Sequence, residues 1–263
     1  MKNKFTNLIL SIAGSDNSAG AGIQADIKTS QSLRSYCFTC LTAITSQNSE
    51  CVVRVVKLSN RFIESQIQTI IKEHQLDCVK IGLVKGLEQA KIISKILKKI
   101  KKIPIVVDPI FKSSTRVLFN SKKEFLKIYK VLASLKPIFT PNLLEIKTLL
   151  DLDTNSFSSE NLIDLFYKKY KTKVVLTDAG IDKKFCEDFF LDEKNRVKKL
   201  RLVKINSSNT HGTGCTFSTS LAIHLSRGYS MSQSVLLSKK YTRNCIKNAP
   251  CLNSEYGPVG HLL

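Results

Sequence analysis

Short apolar runs recur along the chain, each bounded by turn residues and separated from the next by helical periodicity. Residues 8–13 read as a buried strand, followed by a small-residue loop over 14–22 and a helix over 23–33. Residues 37–45 and 52–56 are strand-like. In 61–73, Ile63, Ile67, Ile70 and Ile71 share one stripe, and in 89–100 Ile92, Ile93, Ile96, Leu97 and Ile100 do the same. Residues 78–81 and 103–107 are short buried-type strands. The second half continues with a helix over 122–132, a strand over 137–139, a helix opened by Thr140-Pro141-Asn142 and a strand over 174–177. Residues 185–191 and 197–205 flank Asp192-Glu193-Lys194-Asn195 as a hairpin. One helix starts near Gly212 and another runs over about 232–247. Strands separated by helical patterns require βαβ crossovers, so the expected fold is α/β, a mostly parallel central sheet with helices on both faces. No repeat or linker divides the chain, and residues 1–263 read as one domain. In such sheets ligands bind beyond the carboxyl ends of the strands, which makes the loops after strands the informative ones.

Composition narrows the function. The hydrophobic share of 43% suffices for a packed core. The net charge of +20 has two readings, a nucleic-acid footprint or a lysine-rich surface. The lysines are scattered, and the densest group, Lys98, Lys99, Lys101 and Lys102, ends a helical stripe, where cations suit the helix dipole. No nucleic-acid motif accompanies them, so the surface reading is preferred and no nucleic-acid partner is expected. A positive field also collects anionic nucleotides. The eight cysteines include one C-x-x-C, Cys37 and Cys40, without a second pair or a histidine cluster to complete a zinc site. Cys37 and Cys40 are expected to be buried thiols, and the cysteine set suits a reducing, cytoplasmic protein. Lys2 and Lys4 before a short apolar run imitate a signal peptide, but a first strand accounts better for the glycine-rich turn that follows. No stretch approaches the ~20 apolar residues of a membrane span.

Four loops carry chemistry-bearing residues. In Thr210-His211-Gly212-Thr213-Gly214-Cys215, two glycines bare the backbone at a helix start, the arrangement of a phosphate site. Cys215 stands where a helix dipole lowers a thiol pKa and suits it to take a proton from a hydroxyl. A plain glycine N-cap with a buried cysteine is an equal reading of these residues. The loop from Gly14 through Gly22 lets backbone approach a ligand, and Asp26 on the following helix offers a carboxylate either to a ligand or to the helix N-terminus. It matches neither the phosphate loop of P-loop proteins nor a clean G-x-G-x-x-G. Asp108, after a buried strand, is either a magnesium-side carboxylate or a turn residue. Asn142 and Glu145 share a helix face and either approach phosphates and metal or cap the helix.

Taken together and in this order, the segments resemble the hydroxymethylpyrimidine and phosphomethylpyrimidine kinases of thiamine synthesis, in the ribokinase-like superfamily. The stretch from Ala13 to Asp26 carries the resemblance, with Gln47-Asn48, Lys80-Ile81-Gly82, Val107-Asp108-Pro109, Thr140-Pro141-Asn142-Leu143 and Glu145, Thr210 to Thr216, and Gly257-Pro258-Val259 with His261. The resemblance implies a three-layer ribokinase-like kinase domain, a homodimer, and ATP- and Mg²⁺-dependent phosphorylation of 4-amino-5-hydroxymethyl-2-methylpyrimidine and then of its monophosphate. It implies Gly14, Asp26 and Gln47 as substrate-binding residues and Gly212, Thr213 and Gly214 as an anion hole. Cys215 is implied as catalytic base, and Asp108, Asn142 and Glu145 as nucleotide and metal residues.

The chain also departs from the family pattern. Asp16-Asn17-Ser18-Ala19-Gly20 stands for D-P-S-G-G, Asp178-Ala179-Gly180 for K-G-G, and Ser114-Thr115-Arg116 for an S-G-D element. Leu83 and Phe111 replace methionines and are expected in the pocket, and Lys112 or Arg116 is the expected substitute for the absent lysine. A pyridoxal or pyridoxine kinase is the alternative within the class; a basic nucleic-acid-binding protein and an inactive relative are the alternatives outside it.

Overall fold

The computed structural model describes residues 7–112, 117–152, 157–179, 184–252 and 256–262. Six strands, β1 (Leu8–Ser15), β2 (Tyr36–Gln47), β3 (Val52–Lys57), β4 (Cys78–Ile81), β5 (Ile105–Val107) and β6 (Ile138–Phe139), form one sheet in the order β3-β2-β1-β4-β5-β6. Every neighbouring pair is parallel except β2 and β3, which run antiparallel. A second, antiparallel sheet holds β7 (Val175–Leu176), β8 (Phe185–Leu191) and β9 (Val197–Val203). Parallel bridges from Phe139 to Val174 and from Asn142 to Thr177 carry the first sheet's edge into the second.

The strands sort their side chains by the two-residue period of extended backbone. Leu10, Ile12, Val79, Ile81, Val107 and Leu176 face one core. That core is filled by α2 (Asn60–Glu73), α3 (Leu87–Leu97), α4 (Lys122–Ala133), α5 (Leu143–Leu150) and α6 (Ser159–Tyr170). Their neighbours Ile9, Cys78, Val106 and Val175 face a second core with α7 (Thr213–Ser226) and α8 (Met231–Lys247). On that side α1 (Gly22–Ser32) packs against β1 and α7. The expected three layers are therefore present. Nearly continuous apolar runs mark strands buried on both faces.

Several boundaries differ from expectation. Helix α6 was not anticipated, although Ser158 caps it and Leu162, Ile163 and Phe166 form its buried stripe. Strand β2 extends to Gln47, and β9 stops at Val203 rather than at residue 205. Helix α1 begins at Gly22, which moves Asp26 into the second turn and turns it inward. The eight cysteines are all free; of the C-x-x-C pair, Cys40 is buried as expected and Cys37 is half-buried.

Candidate active site

Ser15 ends β1 and Asp16 follows it, Gln47 ends β2, and Leu83, Asp108, Thr140 and Thr177 lie just beyond β4, β5, β6 and β7. All of them border one cavity of about 660 Å³, with Gly212, Thr213, Gly214 and Cys215 at the start of α7. Gly14, Asn142 and Glu145 border it as well. The topology thus places the ligand region at the carboxyl edge of the sheet. Asp26, assigned to the substrate, and Phe111, expected in the pocket, lie outside this lining.

The loop into α7 passes tightly over the β1 loop. Gly212 has φ +88°, and a Cβ there would collide with the Gly20 carbonyl oxygen. Glycine is therefore required twice over, by conformation and by space. Thr213 donates its N–H to the Thr210 carbonyl at 3.2 Å, and its hydroxyl goes to the same oxygen at 3.0 Å. Its amide is thus engaged in the turn, contrary to the expectation that it faces an anion. Thr216 makes the first helical hydrogen bond, to Gly212 at 2.9 Å. The amides of Gly214 and Cys215 precede it in the first turn, where helical donors have no partner within the helix. They are the anion donors this geometry offers.

Below those amides lies a cluster of buried charge. The Asp108 carboxylate sits over Gly214, whose added Cβ would be 3.6 Å from Oδ2. Ser218 donates to the same oxygen at 3.4 Å. Burial pushes the Asp108 carboxyl up to about 6, while Lys80 opposes the shift. Burial, followed by the Asp108 charge, raises Glu145 as well. Glu145 accepts the Asn142 N–H at 2.9 Å, and Asn142 Oδ1 accepts the Glu145 N–H at 2.9 Å, a closed capping box at the start of α5. Asn142 and Glu145 therefore cap the helix and border the cavity together. Their capping leaves the Asn142 amide group to face a ligand. Two buried carboxylates, both pushed toward the protonated form and one of them by the other's charge, are a donor set a hard cation relieves.

Cys215 borders the cavity at only 6% exposure. Burial pushes its thiol up to about 12; Lys80 opposes this, and the charges of Asp26 and Asp108 add to it. The helix start therefore does not yield the lowered thiol pKa expected from the sequence, because desolvation beside two carboxylates outweighs the dipole.

Asp26 is a second correction. It is fully buried, and both its oxygens lie 2.9 Å from the Lys80 ammonium, which is itself fully buried. Thr219 donates to Oδ1 at 2.8 Å, and Ser11 donates to Oδ2. With its acceptors filled by Lys80, Thr219 and Ser11, Asp26 is a buried structural carboxylate that does not border the cavity.

The sequence reading passed over Asp16 and His211. His211 Nε2 lies 2.8 Å from Asp16 Oδ2, which also accepts the Ala21 N–H at 2.8 Å. Ser18 donates both its amide and its hydroxyl to Oδ1. Burial would raise the Asp16 carboxyl, but these hydrogen bonds, His211's foremost, hold it well below the usual range. Gln47 is oriented by the same loop: its N–H donates to Asn17 Oδ1 at 2.7 Å, and its side chain reaches Asp16. Pairing of His211 with Pro258 draws the C-terminal segment onto this corner. The quoted motifs contain both residues, but their separation in the chain hides the pairing.

The remaining expected residues divide. Leu83, Lys112 and Asp178 border the cavity. Phe111 instead belongs to the core, 4.7 Å from the Phe125 ring. Residues 114–116 and Gly180 lie outside the described residues. Among the described residues no three histidine, cysteine or carboxylate groups gather as a metal site, and no helix is long and apolar enough to cross a membrane.

Comparison with known proteins agrees with this geometry. A rice (Oryza sativa subsp. japonica) protein, a probable thiamine biosynthetic bifunctional enzyme of the chloroplast, is 32% identical over 97% of the chain, which spans 47% of that enzyme's length. The ADP complex of Bacillus subtilis pyridoxal kinase superposes with a TM-score of 0.84 at 30% identity, covering 97% of each chain. The phosphomethylpyrimidine kinase of Clostridium difficile 630 superposes with a TM-score of 0.77 at 29% identity, covering 92% of this chain and 100% of that one. The phosphomethylpyrimidine kinase family model matches residues 16–260, nearly every loop that borders the cavity. With its ribokinase-like α/β fold, the chain belongs to the phosphomethylpyrimidine kinase family.

Proposed function

We propose that this protein is an ATP-dependent kinase that phosphorylates 4-amino-5-hydroxymethyl-2-methylpyrimidine, and then its monophosphate, for thiamine synthesis. One observation carries the reading: Gln47, the amides at the start of α7, Cys215 and the Asp108–Glu145 pair border a single cavity. Gln47 offers both a donor and an acceptor to an aminopyrimidine edge. The hydroxymethyl oxygen attacks the γ-phosphorus in line as the bond from that phosphorus to the β-phosphate oxygen breaks and ADP leaves, and Cys215, as thiolate, takes the hydroxyl proton directly or through water. The Gly214 and Cys215 amides bear the charge on the phosphoryl oxygens, as a loose phosphoryl transition state requires. Asp108 and Glu145 are the residues that would hold Mg²⁺, with Asn142 beside them; the ion would neutralise phosphate charge. To accept that proton the Cys215 thiol must first give up its own, which burial and the charges of Asp26 and Asp108 oppose; Lys80 favours the thiolate, and a bound cation that neutralised Asp108 would favour it further.

A pyridoxal or pyridoxine kinase is the second reading, favoured by the likeness to the Bacillus subtilis pyridoxal kinase complex. Residues 1–263 act as one kinase domain in this proposal. Eight free thiols suit a reducing cytoplasm. Ile44 and Val56, exposed cross-strand partners on β2 and β3, offer an apolar surface to a second copy in a homodimer. Coupled ADP release with the pyrimidine alcohol, its monophosphate and pyridoxal tests the function. Turnover of both pyrimidines above pyridoxal supports the proposal, and turnover of pyridoxal alone shifts it to the second reading. An absence of ADP release with all three leaves an inactive relative.

A further inference from the structure

Every group that touches the Asp16 side chain is a donor. Ser18 gives its amide at 2.9 Å and its hydroxyl at 2.6 Å to Oδ1. Ala21 gives its amide to Oδ2 at 2.8 Å, and His211 Nε2 lies 2.8 Å from the same oxygen. Burial would raise the carboxyl, but these hydrogen bonds, His211's foremost, outweigh it, so Asp16 is ionised and only accepts. His211 Nε2 therefore carries the proton between them. The pair is also fixed in place. The Ala19 N–H closes the loop onto the Asp16 carbonyl oxygen at 2.9 Å. His211 donates its N–H to the Gly257 carbonyl at 3.1 Å and accepts the Val259 N–H at 3.2 Å. A Cβ on Gly20 would collide with the His211 ring, so ring and loop are in contact.

Gln47 meets this carboxylate from the end of β2. Its backbone N–H donates to Asn17 Oδ1 at 2.7 Å, which holds the residue beside the loop, and its side chain hydrogen-bonds the Asp16 carboxylate. A glutamine side chain has one donor group, the amide NH₂. A partner that only accepts therefore turns that NH₂ toward itself. Oε1 and the second N–H remain for the cavity that Gln47 borders. A ring edge that satisfies both offers a donor beside an acceptor, as an amino group next to a ring nitrogen does. An amide able to turn over would serve the reverse pattern equally well.

We infer that Asp16, held by His211, is the positioning residue that sets ring specificity, locking the Gln47 amide so that it reads an amino group beside a ring nitrogen and rejects a carbonyl beside a ring N–H. This rests on the kinase reading above and deepens it by naming the edge the pocket selects. Asp16 acts through Gln47, since its own oxygens are taken by Ser18, Ala21 and His211.

Titration calorimetry tests the inference with 4-amino-5-hydroxymethyl-2-methylpyrimidine and its 4-oxo analogue, in which a carbonyl and a ring N–H replace the amino group and the ring nitrogen. The proteins are the wild type, Asp16→Asn and Gln47→Met. The wild type should bind the amino compound about 100-fold or more tightly than the oxo compound, which sets like groups against both ends of the locked amide. Asp16→Asn brings an NH₂ as well as an oxygen, so Gln47 can turn, and the preference should fall below about tenfold. Gln47→Met leaves the Ser18, Ala21 and His211 contacts of Asp16 in place and should show the same collapse. If Asp16→Asn does not fold, the wild-type ratio and Gln47→Met still decide. A merely structural role for Asp16 would weaken both ligands and keep their ratio. A wild type without preference, or either variant with the wild-type ratio, overturns the inference. ADP release is followed in parallel: the expected preference without turnover of either pyrimidine supports the inference and sinks the kinase reading, and a wild type that binds neither sinks both.

Discussion

Replacing Lys80 with methionine isolates what the buried Asp26 pair contributes. Both side chains are fully buried, and the ammonium meets both carboxylate oxygens at 2.9 Å. Lys80→Met leaves the Asp26 carboxylate with only the Ser11 and Thr219 hydroxyls as donors. Stranding one partner of a buried pair costs about 3–5 kcal/mol. The two hydroxyl donors place this case at the lower end, about 3 kcal/mol. For a chain of this size that corresponds to a fall in melting temperature of about 6–12 °C. Lys80→Met/Asp26→Leu removes the stranded charge and should recover most of the loss, since apolar replacement of a buried pair is often neutral. Urea and thermal unfolding of both variants and of Asp26→Leu complete the double-mutant cycle. A single variant within about 1 kcal/mol of wild type, or a double variant no better than the sum of the singles, refutes the reasoning. The same proteins test the position of Asp26: pyrimidine affinity in the folded double variant should match wild type, and a large loss there would return Asp26 to the substrate.

Gly212→Ala forces a Cβ into the Gly20 carbonyl at φ +88°. The strain alone costs about 1–3 kcal/mol, and the loops must part, so ADP release should fall by orders of magnitude while circular dichroism stays native. Glu145 sets a pH dependence. Its carboxyl is pushed from 4.5 up to about 8 in the folded protein, so the folded state binds the proton more tightly than the unfolded chain. Its contribution to stability is present below pH ~4.5 and is lost as pH rises toward ~8. Thermal melts should show this slope, and Glu145→Gln should flatten it. Because Mg²⁺ binds the ionised form, it should raise the melting temperature more at pH 8 than at pH 5, measured by differential scanning fluorimetry.

Much of the architecture was legible because buried parallel strands write themselves as apolar runs, as residues 8–13 and 78–81 do. Helix α6 escaped because its stripe, Leu162, Ile163 and Phe166, is short and lies in a lysine-rich stretch. Loop motifs placed Cys215, Gln47, Asp108, Asn142 and Glu145 on one cavity, since each follows a strand end or opens a helix. The partner of each charge was not legible. Asp26 was read as a ligand because its position in the motif does not reveal the ammonium of Lys80, which comes from a different strand. The helix start suggested a lowered thiol pKa at Cys215, yet its proton affinity is set by burial and by charges on β4, on α1 and just beyond β5. Local pattern specifies where a side chain sits along the chain; only the packed sheet specifies what it meets.

The most direct measurement compares turnover of the pyrimidine alcohol by the wild type and by Cys215→Ala, with substrate affinity measured in parallel. Loss of a positioned proton acceptor should lower kcat about 10²- to 10⁴-fold while the dissociation constant stays near wild type. Near-normal turnover by Cys215→Ala would contradict proton transfer at this sulfur and leave the cavity without the chemistry assigned to it.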